Sequence, residues 1–205
     1  MQNSSTDDGL EVGIDEAGRG CLSGRVYVGA VILPEDYEED TYLQITDSKK
    51  LSRKKRAELR KYIENVAIDY SVSYADLDEI YEKNILHATI SAMHRAIDNL
   101  KMVPDNIIVD GNYFKAYMDK DGMYVTHQTF KSGDQKYRNI AAASILAKEY
   151  HDQYVLDLLD KDPSLEKYGW RNNMCYGTAE HIDAIKENGI TPYHRKTFGI
   201  CREYV

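Results

Sequence analysis

GIDEAGRG, residues 13–20, ends an apolar run on two adjacent acids, Asp15 and Glu16, and then turns through two glycines that flank one arginine. Carboxylate oxygens are the ligands that hard divalent cations prefer, and glycines let backbone N–H groups approach a ligand closely. The Arg19 guanidinium adds a fork that matches phosphate oxygens. The stretch therefore reads as a metal site beside a reader of phosphate or sugar. In an ideal strand Asp15 and Glu16 point to opposite faces, so both reach one metal only if the strand ends or bulges there, which Gly18 and Gly20 permit. The plainer alternative is an exposed acidic strand end followed by a polar turn.

Working outward, two further segments bring acids to the ends of strands or turns. NIIVDGNYF (106–114) is an apolar run ending at Asp110-Gly111, and KSGDQKYRNIAAASILAKEY (131–150) puts Asp134 in a polar turn before a long helix. Asp-Gly alone is ordinary turn chemistry. The joint ordering of these acids is what points to a site.

Around them, residues 9–16 and 26–33 are β-rich, the latter alternating, and should form a hairpin; 66–74 and 123–130 read as further strands, and the strand ending at Asp110 makes five. Helices are expected from the Ser52 cap to about Asn65, over 85–100 after an Asn84 cap, over about 137–160, and over 179–188 between Thr178 and Gly189. Ala141, Ala142, Ala143 and Ser144 give the third helix a thin start that can lie close to a sheet. The pattern is an α/β sheet with helices against it, and periodicity leaves its topology open.

GIDEAGRG, DSKKLS (47–52), IVDG, GDQK followed by IAAASILAKEY, and YGTAEHIDAI followed by PYHRKTF together resemble ribonuclease HII, the type 2 ribonuclease H, over roughly residues 9–200. The resemblance implies a ribonuclease H-like mixed five-stranded sheet flanked by helices. It implies one domain over residues 1–205, whose C-terminal helical part, about 160–205, completes the substrate site. It further implies an endonuclease that hydrolyses the RNA strand of RNA–DNA hybrids and incises 5′ to ribonucleotides embedded in duplex DNA. Such an enzyme leaves 3′-hydroxyl and 5′-phosphate ends, requires Mg²⁺ or Mn²⁺, and supports ribonucleotide and RNA primer removal.

Carried over residue by residue, the resemblance assigns the catalytic and metal-binding carboxylates to Asp15, Glu16, Asp110 and Asp134. It assigns the reader of the ribose junction to Gly18, Arg19, Gly20 and Tyr176, and nucleic-acid contact to Lys49 and Lys50. His194 and Arg195 are expected to make secondary nucleic-acid contacts. Three departures from the family pattern stand out. Cys21 occupies the place of a proline, which should free the loop after Gly20; Cys175 occupies the place of a glycine and is strained if that position needs positive φ; His151 replaces an arginine.

A net charge of -8 sits awkwardly with a nucleic-acid partner. Its distribution helps, because Lys49, Lys50, Arg53, Lys54, Lys55, Arg56, Arg60 and Lys61 face Glu58 as the one acid of their run. No apolar stretch nears the ~20 residues a bilayer span needs, the opening MQNSSTDDG is unlike a signal or transit peptide, and the cysteines at 21, 175 and 201 lack zinc or disulfide spacing. A cytoplasmic monomer is expected. His87 and His94 lack a third ligand, and Trp170 is expected to pack. Chain end soon after PYHRKTF suggests that a clamp-binding tail is absent. The competing readings are another nuclease on the same fold without a 2′-hydroxyl reader, and an idle hybrid-binding protein; ribonuclease HIII fits less well.

Overall fold

β1 (Glu11–Ala17) and β2 (Val26–Ile32) form the expected antiparallel hairpin at the middle of a mixed sheet. The computed structural model describes residues 1–2, 4–5, 9–35 and 39–205. β3 (Asp69–Ala75) lies antiparallel to β2, while β4 (Asn106–Asp110) lies parallel to β1. β5 (Tyr117–Met118) and β6 (Tyr124–Phe130) complete the order β3-β2-β1-β4-β6-β5. The mixed α/β sheet is the expected one with a sixth strand added. That strand, β5, pairs Tyr117 with Val125 and Met118 with Tyr124, and two residues are too few to carry an alternation signal.

Helices cover both faces. Behind the short α1 (Asp40–Leu43), α2 (Arg53–Val66) starts at the Ser52 hydroxyl, which accepts the Lys55 amide at 3.2 Å. α3 (Leu77–Asp98) is longer than the expected helix because a first stretch precedes a kink at Asn84, where φ is 64°. The Asn84 carboxamide oxygen then accepts the Leu86 and His87 amides, so it caps the second stretch as expected. α4 (Arg138–Lys161), α5 (Trp170–Asn173) and α6 (Ala179–Asn188) follow. Thr178 caps α6 through the His181 amide.

Alternation along the strands decides which side chains meet which layer. Val12, Ile14, Val28, Ala30, Ile107 and Val109 face α3 and pack with its Ala88, Ala92 and Ala96. The opposite face lies under α4 and α2, with Val31, Leu59, Ile63, Ala142, Ile145 and Leu146 in contact. Gly13 and Gly29 make that layer close. A Cβ on Gly13 would stand 2.2 Å from the Asn139 carbonyl carbon, and one on Gly29 2.4 Å from the Ala143 carbonyl oxygen. The thin start of α4 thus meets strands that are thin at the facing positions.

A third apolar cluster joins the second half of α4 to the C-terminal helices through Val155, Leu159, Trp170, Cys175, Ile185 and Cys201, with Cys21 and Leu22 from the loop after β1. Among the described residues no helix is long and apolar enough to cross a membrane.

Candidate active site

Parallel register puts two of the expected acids side by side. Ile14 pairs with Val109, so one step further along both strands Asp15 stands beside Asp110. Because Ile14 and Val109 face α3, Asp15 points to the α4 side, where Ser144 bonds it, while Asp110 at the very end of β4 borders both the turn before α4 and the cleft under α3. Asp134 arrives from another direction. Ser132 adopts a left-handed φ of 55°, and the Gly133 amide donates to the Asp110 carboxylate at 2.7 Å, which fastens the Asp134 turn to the end of β4.

Glu16 behaves differently. β1 ends at Ala17, directly before the Gly18 loop and one residue beyond the expected strand, and no bulge intervenes: Asp15 lies opposite Gly29 and Glu16 opposite Val28. Glu16 therefore leans to the α3 face, where it meets Arg19 at 3.2 Å and shares a cleft with Thr89, Met93 and Asp110. Among the described residues no three Asp, Glu, His or Cys side chains converge as a closed ligand set. Asp15, Glu16 and Asp134 each feel Asp110 as a repelling charge.

Electrostatics still mark the cluster. Burial first, then repulsion from Glu16 and Asp110, holds the Asp15 carboxyl well above its ordinary range, against the hydrogen bond from the Ser144 hydroxyl. Glu16 is raised by burial and Asp110, with Arg19 and Lys49 opposing. Asp134 is pushed up to about 6 by burial, Asp110 and Asp47. Buried carboxylates that repel one another fit a hard divalent cation in donor chemistry, since the cation would offset both the desolvation and the repulsion.

Asp47 is a residue that the sequence reading missed. It is 4% exposed, hydrogen-bonded to Asp134, accepts the Lys49 amide at 2.9 Å and accepts Gln135 at 3.3 Å. Its signal lies in DSKKLS, whose first residue is Asp47. Lys49 and Lys50 themselves are exposed at the end of a short 3₁₀ turn. Ser144 and Lys148 were also passed over; the Lys148 ammonium lies 5.3 Å from the Tyr176 ring and 2.6 Å from Asp152.

The Gly18–Gly20 loop follows β1 directly. Gly18 has φ of 86°, and a Cβ there would meet the His151 ring at 2.5 Å, so no other residue fits without displacement. Its amide donates to the Tyr176 phenolic oxygen at 3.3 Å, bringing together two of the expected reader residues. Arg19 and Gly20 are exposed. The loop beyond is not freed by the missing proline: the Cys21 amide donates to the Gly18 carbonyl at 3.1 Å, a bond proline could not make, and Leu22 pairs with Cys175. Cys175 has φ of 66°, the conformation that strains a non-glycine residue. His151 is buried, hydrogen-bonded to Asp152 and 3.6 Å from the Cys21 sulfur.

His194 and Arg195 require correction. Both are 0% exposed, so neither is available for direct nucleic-acid contact. They pack behind the loop of residues 18–25, Arg195 donating to its carbonyls and His194 bonded to His181 and Thr191. Trp170 packs as expected, and also donates to His181 at 3.0 Å. His87 is exposed, while His94 packs against Phe114 and Tyr117.

Known proteins match this chain along nearly its whole length. The family model described as Ribonuclease HII matches residues 12–201. The chain is similar to a ribonuclease HII of Parabacteroides distasonis, 48% identical over 194 residues, covering 95% of this chain and 92% of the relative. It is equally similar to one from Bacteroides fragilis, 48% identical with 93% and 90% covered. Among solved structures, ribonuclease H2 from Pyrococcus horikoshii shares the fold with a TM-score of 0.76 at 24% identity, covering 95% of this chain and 96% of that one. Bst-RNase HIII, crystallised in complex with Mn²⁺, has a TM-score of 0.68 at 16% identity, covering 95% and 68%. With a family model across nearly the whole length and relatives near half identical, the chain belongs to the ribonuclease HII family, and so is a ribonuclease H hydrolase of a divalent-metal-dependent class that acts on RNA–DNA hybrids.

Proposed function

We propose that this ribonuclease H both degrades the RNA strand of hybrids and incises duplex DNA on the 5′ side of an embedded ribonucleotide, leaving 3′-hydroxyl and 5′-phosphate ends. The observation that carries this reading is the direct continuity of β1 from Asp15 and Glu16 into the Gly18 loop, whose amide meets the Tyr176 phenol. Acids suited to a cation and groups suited to a ribose hydroxyl are thereby neighbours.

Asp15, Glu16, Asp110 and Asp134 would hold Mg²⁺ or Mn²⁺. Bound there, such an ion would supply Lewis-acid stabilisation of the charge that builds on the phosphodiester. The protein's own groups do the selecting. The Tyr176 hydroxyl, whose oxygen accepts from the Gly18 amide and which also bonds the Cys21 thiol, would exchange that second bond for one to a 2′-hydroxyl, and amides of the exposed loop can donate as well. Arg19, now on Glu16, is free to turn its fork to a phosphate, and exposed Lys49 and Lys50 can neutralise flanking phosphates. In this reading residues 1–205 act as one domain whose C-terminal helical part, from about 160, backs the reader. The enzyme would serve ribonucleotide and primer removal as a cytoplasmic monomer.

A duplex carrying one ribonucleotide, compared with its all-DNA counterpart in Mg²⁺, Mn²⁺ or EDTA, tests the reading. Cleavage is expected 5′ to the ribonucleotide, only with metal, and to vanish in Asp110→Asn while that variant still unfolds cooperatively. Equal cutting of the all-DNA duplex would remove the 2′-hydroxyl reader, and full activity of Asp110→Asn would remove that acid.

A further inference from the structure

Behind the loop of residues 18–25 lies a buried guanidinium whose hydrogen-bond partners are all carbonyl oxygens. Arg195 donates from Nε to Gly24 at 2.9 Å, from one terminal nitrogen to Arg19 at 2.9 Å, and from the other to Gly18 at 2.8 Å and Arg25 at 3.1 Å. Its own amide donates to Leu22 at 2.7 Å. A buried cation without a carboxylate is costly, and a well-packed apolar side chain would serve packing more cheaply. What the guanidinium does is orient peptides. In a trans peptide the C=O and the following N–H point in opposite directions, so drawing the Gly18 and Arg19 carbonyls inward turns the amides of Arg19 and Gly20 outward. Two adjacent outward amides backed by a positive charge form an anion- and hydroxyl-binding nest.

The preceding residue reaches the other half of the reader. The Trp170 indole N–H, a donor only, points at His181 Nε2 at 3.0 Å, so that nitrogen is the acceptor and His181 Nδ1 carries the proton, which it donates to the Tyr176 carbonyl at 3.0 Å. His194 Nε2–H donates to the same His181 nitrogen at 3.2 Å, and its Nδ1 accepts the Thr191 amide at 2.9 Å. The Tyr81 hydroxyl closes the frame from α3, donating to the His194 carbonyl at 2.9 Å.

We propose that His194 and Arg195 are positioning residues for ribonucleotide recognition: Arg195 sets the peptide orientations of the Gly18–Gly20 nest, and His194, through His181, sets the backbone of Tyr176. One short segment thus holds both halves of the reader in register. The inference rests on the reading that Gly18–Gly20 and Tyr176 contact the ribose, and it adds two residues that never touch the substrate.

The test measures single-ribonucleotide incision by the full chain for Arg195→Lys, Arg195→Ala, Tyr176→Phe and the double variant Arg195→Lys/Tyr176→Phe, with thermal unfolding of each. Arg195→Lys keeps the charge but not the fork, and is expected to lower kcat/KM at least tenfold while duplex affinity changes less than twofold. Added methylguanidinium should restore part of the activity of Arg195→Ala, and methylammonium should not. Because both changes disable one reader, the double variant should lose less than the product of the single losses. Parental activity in Arg195→Lys overturns the inference, as does a double variant whose loss equals that product. If Tyr176→Phe incises at the parental rate, the reader itself is wrong and the inference falls with it; if Tyr176→Phe is impaired and Arg195→Lys is not, only the inference fails. Should Arg195→Ala fail to fold, the lysine variant and the double variant still decide.

Discussion

His194 and His181 are neutral in the folded chain for a physical reason. Burial, then the neighbouring histidine, pulls His194 down to about 4, against a hydrogen bond with the Thr191 backbone; burial lowers His181 against hydrogen bonds with the Tyr176 and Cys175 backbone and the nearby Glu180 charge. Tyr168 and Trp170 supply the ring contacts around the pair. A histidine whose folded pKa lies below its unfolded value leaves the native state binding fewer protons, so stability is full above about pH 6.5 and is lost as pH falls toward 4. The raised carboxyl of Asp134 works in the opposite sense over part of that range. Comparing the parent with His194→Gln separates the two. The stability advantage of the parent in thermal unfolding should shrink from pH 7.5 to pH 5, and an advantage that stays constant would show that the pair does not resist protonation. Cys175 illustrates a cost of another kind: its φ of 66° is held in place by the Asn173 carboxamide, which accepts its amide at 3.0 Å.

Among the elements, α4 decides the most. It lies on β1 and β2 at backbone contact, carries Ser144 against Asp15, and continues into the apolar cluster that includes Cys21 and Leu22 of the loop after β1. Gly13 is the position where that arrangement is most sensitive. Its replacement by alanine sets a Cβ 2.2 Å from one backbone atom and 2.4 Å from the next, and backbone cannot rotate aside as a side chain would. Gly13→Ala is expected to cost on the order of 3 kcal/mol in urea unfolding and to lower activity by shifting Ser144. A loss below about 0.5 kcal/mol would mean that α4 has room to move, contrary to this packing.

For the whole molecule, the acidic cluster joins three distant parts of the chain: β1, the end of β4 and the turn before α4. Without a cation these parts repel one another, since Asp110 raises the carboxyls of Asp15, Glu16 and Asp134 alike. Saturating Mg²⁺ or Mn²⁺ is therefore expected to raise the unfolding temperature, by about 2.7 kcal/mol of stability at a hundredfold excess over Kd. Asp110→Asn should raise the metal-free unfolding temperature, by removing the shared repulsion, and should reduce the increment that metal adds. An undiminished increment would place the cation elsewhere.

The strands, most helix caps and the ends that bear acids were legible in the chain, because alternation, capping residues and glycine placement are local physics. Motif order also carried the family, and with it the position of Cys175 at a left-handed site. Side-chain partners were another matter. That Asp47 rests against Asp134, and that His194 and Arg195 are buried behind the Gly18–Gly20 loop, depend on contacts between distant parts of the chain, such as Arg195 to Gly18. A basic residue in a motif reads the same whether its charge meets solvent or backbone carbonyls. Only packing distinguishes the two, since burial and hydrogen-bond partners are properties of neighbours in space rather than neighbours in sequence.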